Sequence, residues 1–335
     1  MLIEKLRNRL VDEKSKIFFD ARYNYKTDKR LTVFYNNIKD AKDKYEFREV
    51  DEFLKSQLIT EFYIVGSDDS SVYSYHILKD YGYSVIGLIT DNKLPNQPKD
   101  IHCYSWDNVK DTQGIIVFQR YYDQIPQEIL SYAKILVLYD HVVGRTGKQY
   151  FDFFSPNKRE YFLDAGCLDG RTTKDFIDWC NGNYGAVYAF EANPLVIPKC
   201  KQEMTKTVQR NKLHFFSIAL WNKNEQVKFD NSESKWNAHV ADNGSVLIQA
   251  NTVDSLLTNK KVTYFKLDIE GSELNAIYGA RNCIIHNHPR MAISVYHNDN
   301  DLFDIMKVLI EMQSDYKFAI RHYHSDAIET ILYAF

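Results

Sequence analysis

EYFLDAGCLDGRTT, residues 160–173, is a short apolar run that ends in an acid and opens at once into a glycine turn. A strand-like run, glycines and then a helical pattern mark the entry of a βα unit. Working outward, the alternation repeats in AVYAFE (186–191), KLHFFSIAL (212–220), VTYFKLD (262–268) and MAISVYH (291–297), with helical patterns after most of them. Strands this continuously apolar predict a parallel sheet buried on both faces. The end of the chain breaks the rhythm. YKFAIRHY (316–323) and ETILYAF (329–335) flank a short polar loop, which predicts an antiparallel hairpin closing the sheet. The expected fold class is α/β: a Rossmann-like, mostly parallel sheet with a terminal hairpin over residues 159–335. Ligands of such sheets sit at the C-terminal ends of the strands.

A second, smaller α/β domain is expected over 59–145. EFYIVG (61–66), YSVIGLIT (83–90), GIIVF (114–118) and KILVLY (134–139) read as buried parallel strands, and SVYSYHILKDYG (71–82) as a helix between the first two. NKLPNQPKD (92–100) reads as a loop, and RTGKQYFDFFSPNK (145–158) supplies a linker over 146–158. Residues 1–58 are rich in mixed charge, with Leu2, Leu6 and Leu10 at helical spacing, and predict two or three surface-lying helices.

The bulk numbers narrow the function classes. Net charge is −3 over 335 residues, which gives no global attraction to nucleic acid or anionic lipid. Five widely spaced cysteines without a C-x-x-C pair indicate neither a disulfide framework nor structural zinc. With a charged N-terminus that lacks an apolar core and with no run long enough to span a membrane, the expectation is a cytoplasmic protein. Self-association into a homo-oligomer is left open.

The strand ends carry the chemistry. Asp164, Gly166 and Gly170 form a D-x-G-x-x-x-G, where glycine permits tight turning and close approach of a ligand to the backbone. The following helix, capped by Thr172 or Thr173, offers N–H groups to an anionic ligand end. Glu191 ends the next strand, 25 residues beyond Gly166, where a carboxylate can accept both hydroxyls of a ribose. This is not the G-x-G-x-x-G of dinucleotide sites, and Asp164 would repel phosphate while serving an ammonium. A ligand with an amino-acid tail, a ribose and no phosphate, such as S-adenosyl-L-methionine (SAM), fits that pattern. In FKLDIEGSELNAIYGA (265–280), Asp268 and Glu270 crowd two carboxylates onto one strand end, and Glu273 falls in a first helical turn that favours negative charge. His297, ending the fifth strand, can approach them. Two carboxylates and an imidazole suit a divalent metal ion; a metal-free His–Asp pair with His297 as general base is the other reading. His322 and His324 read as exposed loop residues or substrate contacts.

Taken in order, FLDAGCLDGRTTKDFI (162–177), YAFEANP (188–194), ANTVDSLL (250–257), FKLDIEGSELNAIYGA (265–280), AISVYHNDNDLFDI (292–305) and RHYHSDAIETILYA (321–334) resemble the FkbM-type methyltransferases, a branch of the class I SAM-dependent enzymes. The resemblance implies O-methylation of a sugar hydroxyl, on a nucleotide-activated sugar or a surface-polysaccharide precursor. It implies that Asp164, Gly166, Gly170 and Thr172 hold the methionine part of SAM, and that Glu191 holds the ribose. Ala192, Ile218 and Ala219 would flank the adenine, and Asp268, Glu270 and His297 would face the methyl group as catalytic residues and metal ligands. An additional Rossmann-like domain ahead of the transferase is also consistent with that resemblance. Two rival readings are an NAD- or nucleotide-sugar-using oxidoreductase built on the N-terminal domain and a non-catalytic scaffold with a SAM fold. IVGSDDSS (64–71) has one glycine where a dinucleotide site has three, and Asp91 ends the next strand.

Overall fold

The computed structural model describes residues 2–41, 43–90, 94, 100–138, 144–231 and 238–335. It divides into two compact units that are discontinuous in sequence. One comprises Met1–Phe19, Gly147–Tyr323 and Glu329–Phe335, and the other Asp20–Thr146 and His324–Ile328. Among the described residues no helix is long and apolar enough to cross a membrane.

The larger unit is built on a seven-stranded sheet. Its spatial order is Phe318–His322, Thr330–Ala334, Arg290–Ser294, Tyr264–Leu267, Glu160–Ala165, Tyr184–Phe190, Leu213–Phe216. The five strands from Arg290–Ser294 onward are mutually parallel, and Thr330–Ala334 runs antiparallel to both of its neighbours. Helices cover a sheet buried on both faces, so strands such as Phe162–Ala165 and Tyr264–Leu267 need no alternation of polar residues. The core is aromatic: Phe162 and Phe176 stack with centroids 4.2 Å apart, and Phe151 packs on Phe162, Phe176 and Tyr264.

Three sequence expectations change here. Residues 212–220 form two strands, because Ala219–Leu220 leaves the large sheet for a second sheet of order His239–Val240, Glu225–Asp230, Val246–Asn251, Ala219–Leu220. Its period-two signal is visible in hindsight: Val227, Phe229, Ile248 and Ala250 are buried, while Gln226, Lys228, Leu247 and Gln249 between them are exposed. The segment read as a linker carries Tyr150 and Phe151 into the core. Among the described residues the N-terminal helices number four, Leu2–Arg7, Glu13–Tyr25, Leu31–Ile38 and Arg48–Gln57, and are not merely surface-lying. Leu6, Leu10, Phe18, Phe34, Ile38, Val50 and Phe53 are all buried. The stretch joining the first two helices, with the start of the second, folds with the C-terminal sheet: the Val11 amide donates to the Phe318 carbonyl, the Ser15 hydroxyl accepts from the Ile320 amide, and Asp12 pairs with Arg321 at 2.8 Å.

The smaller unit holds a five-stranded parallel sheet of order Cys103–Tyr104, Val85–Ile89, Phe62–Val65, Gly114–Phe118, Lys134–Leu138. Helix Asp69–Asp80 follows the first strand. Asp91, Tyr139 and most of the loop at 92–100 lie outside the described residues.

Candidate active site

The glycine turn sits at the C-terminal end of Glu160–Ala165. Gly166 has φ +77°, and a Cβ there would lie 1.9 Å from the Asp268 carbonyl oxygen, so only glycine lets the two strand ends meet. Gly170, φ +79°, is the N-cap of helix Arg171–Trp179 and supplies no side-chain cap. The expected cap by Thr172 or Thr173 is therefore corrected. The Thr173 hydroxyl instead donates to Asp164 at 2.6 Å, because that carboxylate is wholly buried and needs donors. Its counter-charge is Lys266, also buried, with Nζ 3.5 Å from Asp164 Oδ1. The Lys266 ammonium donates to the Ala165 and Gly166 carbonyls at 2.8 and 2.7 Å, bracing the turn from below. Burial pushes the Asp164 carboxyl up, against the pull of Lys266 and Thr173.

Glu191 bridges the turn from the neighbouring strand. Its oxygens accept the Leu168 amide at 2.9 Å and the Asn193 amide at 2.8 Å, and burial pushes its pKa up despite those donors. Each carboxylate oxygen has a second acceptor site, so donors from a ligand can still be met. A cleft with about 680 Å³ of empty space, partly open to solvent, begins here. It runs past Gly166, Leu168, Glu191 and Ala192 and the apolar Ile218 and Ala219 to Asp268 and Glu270. Phe229, His239 and Val240 of the second sheet form another wall.

At the acidic end, His297 Nε2 is 3.6 Å from Asp268 Oδ1 and 3.4 Å from Glu270 Oε2. One ligand atom from each of these three residues lies within 4.8 Å of the others. Glu270 is held at φ +53°, a left-handed conformation uncommon for a side chain of its kind. Burial alone would lower the His297 pKa, but Glu273, Asp268 and Glu270 outweigh it and push it up to about 10. Burial pushes Glu270 up to about 7 even though His297 opposes the shift. In this arrangement the imidazole is the counter-charge to Glu273, Asp268 and Glu270.

Gly166, Glu191, Ala192, Ile218, Ala219, Asp268 and Glu270 thus share one cleft, with His297 beside its acidic end. Among the described lining residues, Asp164, Gly170, Thr172 and His297 do not appear. Asp164 and Gly170 shape the turn from behind, and Thr172 sits in the first helical turn, half-buried. The sequence reading missed Tyr150, whose hydroxyl donates to Asp268 Oδ2 at 2.8 Å, and Lys266, a cation in the middle of an apolar strand. The Lys266 signal was there to be read in FKLD. His322 and His324 are buried rather than exposed, bonded to Thr330 Oγ1 and Asp326 Oδ1.

A mostly parallel sheet of this order, a glycine turn at its first strand and a carboxylate at the end of the second define a class I methyltransferase fold. Residues 164–330 match the family model of the methyltransferase FkbM domain, and the chain belongs to the FkbM-type methyltransferases. Among solved structures it is similar to the methyltransferase FkbM of Methylobacillus flagellatus, with 16% identity over 96% of this chain and 99% of that one and a TM-score of 0.52. At that identity the likeness concerns the fold. More distant likenesses include an rRNA methylase of Streptococcus thermophilus (14% identity, 54% of this chain, 87% of that one, TM-score 0.32). Another is the fibrillarin of Aeropyrum pernix, solved with natively bound S-adenosyl-L-methionine (11%, 52%, 66%, 0.31). No curated protein matches the chain.

Proposed function

We propose that this methyltransferase takes its methyl group from SAM and transfers it to a hydroxyl of a sugar, carried by a nucleotide or a surface-polysaccharide precursor. The observation that carries the reading is the single cleft joining Glu191 and its apolar wall to Asp268 and Glu270. Glu191 accepts ribose hydroxyls at one end, while Ala192, Ile218 and Ala219 give a flat base an apolar surface. Gly166 and Leu168 line the same cleft.

SAM, when bound, supplies an electrophilic methyl group. The residues around it must then align an acceptor oxygen, an entropic task that such sites perform well. Asp268 and Glu270 accept a hydrogen bond from that hydroxyl and fix its direction, and several acceptors close together suit a polyhydroxylated substrate. The donor set at this end also fits a divalent cation: Asp268, Glu270 and His297 offer two oxygens and a nitrogen within a small radius. Such an ion would lower the acidity barrier of the hydroxyl. Asp164, Lys266, Gly170 and Thr172 support the turn without touching substrate. The choice of oxygen and of sugar rests on the family resemblance.

Calorimetry with S-adenosylhomocysteine, with and without EDTA, tests the reading, followed by transfer of labelled methyl to a panel of nucleotide sugars. Binding is expected under both conditions, with turnover falling about 10²-fold in EDTA. Absence of binding overturns the proposal, and turnover indifferent to EDTA removes the metal from it.

A further inference from the structure

Glu273 opens helix Glu273–Tyr278, and a first-turn acid that merely favoured a helix dipole would lie in solvent. This one is fully buried. Its Oε1 accepts the Ile269 amide at 2.8 Å and stands 3.0 Å from His297 Nδ1, while Oε2 meets no hydrogen-bond donor. A buried carboxylate with one backbone donor needs a cation, and the His297 ring is the one this pocket places against it. The same ring turns Nε2 toward Asp268 and Glu270. The imidazole stands between carboxylates on both sides, at ion-pair distance from each and with neither nitrogen in a well-formed hydrogen bond.

We infer that Glu273 is a positioning residue that fixes which nitrogen His297 presents to the Asp268–Glu270 end of the cleft. The inference rests on the role proposed above for those three residues. A carboxylate behind an imidazole sets its tautomer and ring orientation and raises the basicity of the far nitrogen, and loss of such a partner typically weakens metal binding about 10–100-fold.

The test uses the full chain and Mn²⁺ as the probe. Glu273→Gln keeps the side-chain volume and an acceptor for the Ile269 amide but removes the charge. Mn²⁺ affinity by calorimetry is expected to fall about 10–100-fold, with S-adenosylhomocysteine affinity unchanged. In ¹⁵N-histidine spectra the His297 ring signals should shift toward an unpaired imidazole. The double variant Glu273→Gln/His297→Gln should bind Mn²⁺ no worse than His297→Gln alone, as expected when one residue acts through the other. If Glu273→Gln does not fold, Glu273→Asp, which withdraws the charge from the ring, is expected to show the same losses. Undiminished Mn²⁺ affinity in the variant, or unchanged His297 signals, overturns the inference. If the unaltered protein binds no Mn²⁺, the metal reading fails and the His297 signals alone decide the role of Glu273.

Discussion

Both parallel sheets of this chain turn from a strand through glycine into a helix, but they complete the turn differently. After Phe62–Val65, Gly66 leads to Asp68, whose carboxylate accepts from the Ser71 amide and hydroxyl and pairs with Arg120 at 2.8 Å. The helix N-terminus is satisfied from within, and the acid at its mouth opposes any phosphate. That closure argues against a dinucleotide at the smaller sheet and hence against the oxidoreductase reading. After Glu160–Ala165, the N-cap is a bare glycine: Asp169 before it accepts the Arg171 amide at 3.0 Å and pairs with the Arg171 side chain, while a second acid, Glu191, reaches the Leu168 amide from the neighbouring strand. The difference lies in where the turn's acids come from: the smaller sheet's turn is closed by its own Asp68, whereas Glu191, which meets the larger sheet's turn from the neighbouring strand, borders the cleft.

Four substitutions would break or sharpen this contrast. The largest effect is expected from Gly166→Ala, whose Cβ would meet backbone, the Asp268 carbonyl, at 1.9 Å. A loss of about 3 kcal/mol or more in unfolding free energy should accompany loss of S-adenosylhomocysteine binding. Its counterpart Gly66→Ala is strained by the positive φ of +142°, but it meets side chains that can rotate aside, the Ser71 hydroxyl oxygen at 2.1 Å and the Tyr121 ring at 2.8 Å. That variant should keep ligand binding; equal losses in the two would erase the distinction between the turns. Next comes Glu191→Ala, which strips an acceptor from the Leu168 and Asn193 amides. Calorimetry should show S-adenosylhomocysteine affinity lowered about 10²-fold, near 2.7 kcal/mol; an unchanged affinity would take Glu191 out of the site. The smallest effect is expected from Asp68→Ala, a lost helix cap costing about 1 kcal/mol in urea unfolding. Its ligand affinity should not move, and a weakened one would tie the smaller sheet to the cleft.

Much of this was legible in the sequence, and the parts that were not share a cause. Apolar runs 160–166 and 262–268 announced central strands because burial on both faces leaves no room for polar alternation. The crowded acids of LDIEG marked a strand end for the same reason: two carboxylates so close need company. Tyr150 escaped notice because its partner, Asp268, is 118 residues away, and nothing local in KQYFDFF distinguishes a core strap from a connecting loop. The apolar stripe of Leu2, Leu6 and Leu10 is helical only in part: Leu6 lies in Leu2–Arg7, whereas Leu10 lies beyond it and bridges to Phe318, at the other end of the chain. Glu273 does fall in a first helical turn, but its burial is hidden in the sequence for a related reason. A first-turn acid looks alike in sequence whether it faces water or an imidazole. Period, charge spacing and glycine placement are local properties, whereas pairing across the sheet is not.

The Lys266–Asp164 pair has a consequence for how the strands find each other. The two residues sit opposite in the ladder, Lys266 against Asp164, between Phe265–Leu163 and Leu267–Ala165. Sliding one strand by two residues would seat a buried ammonium against Phe162 or Gly166, with no counter-charge beside it. Sliding it by one would send the lysine to the opposite face. The apolar neighbours are nearly interchangeable and could not by themselves choose among these alignments. The ion pair does, working as an indexing pin: only in the observed alignment do the glycine turn and the acidic strand end arrive at the same height.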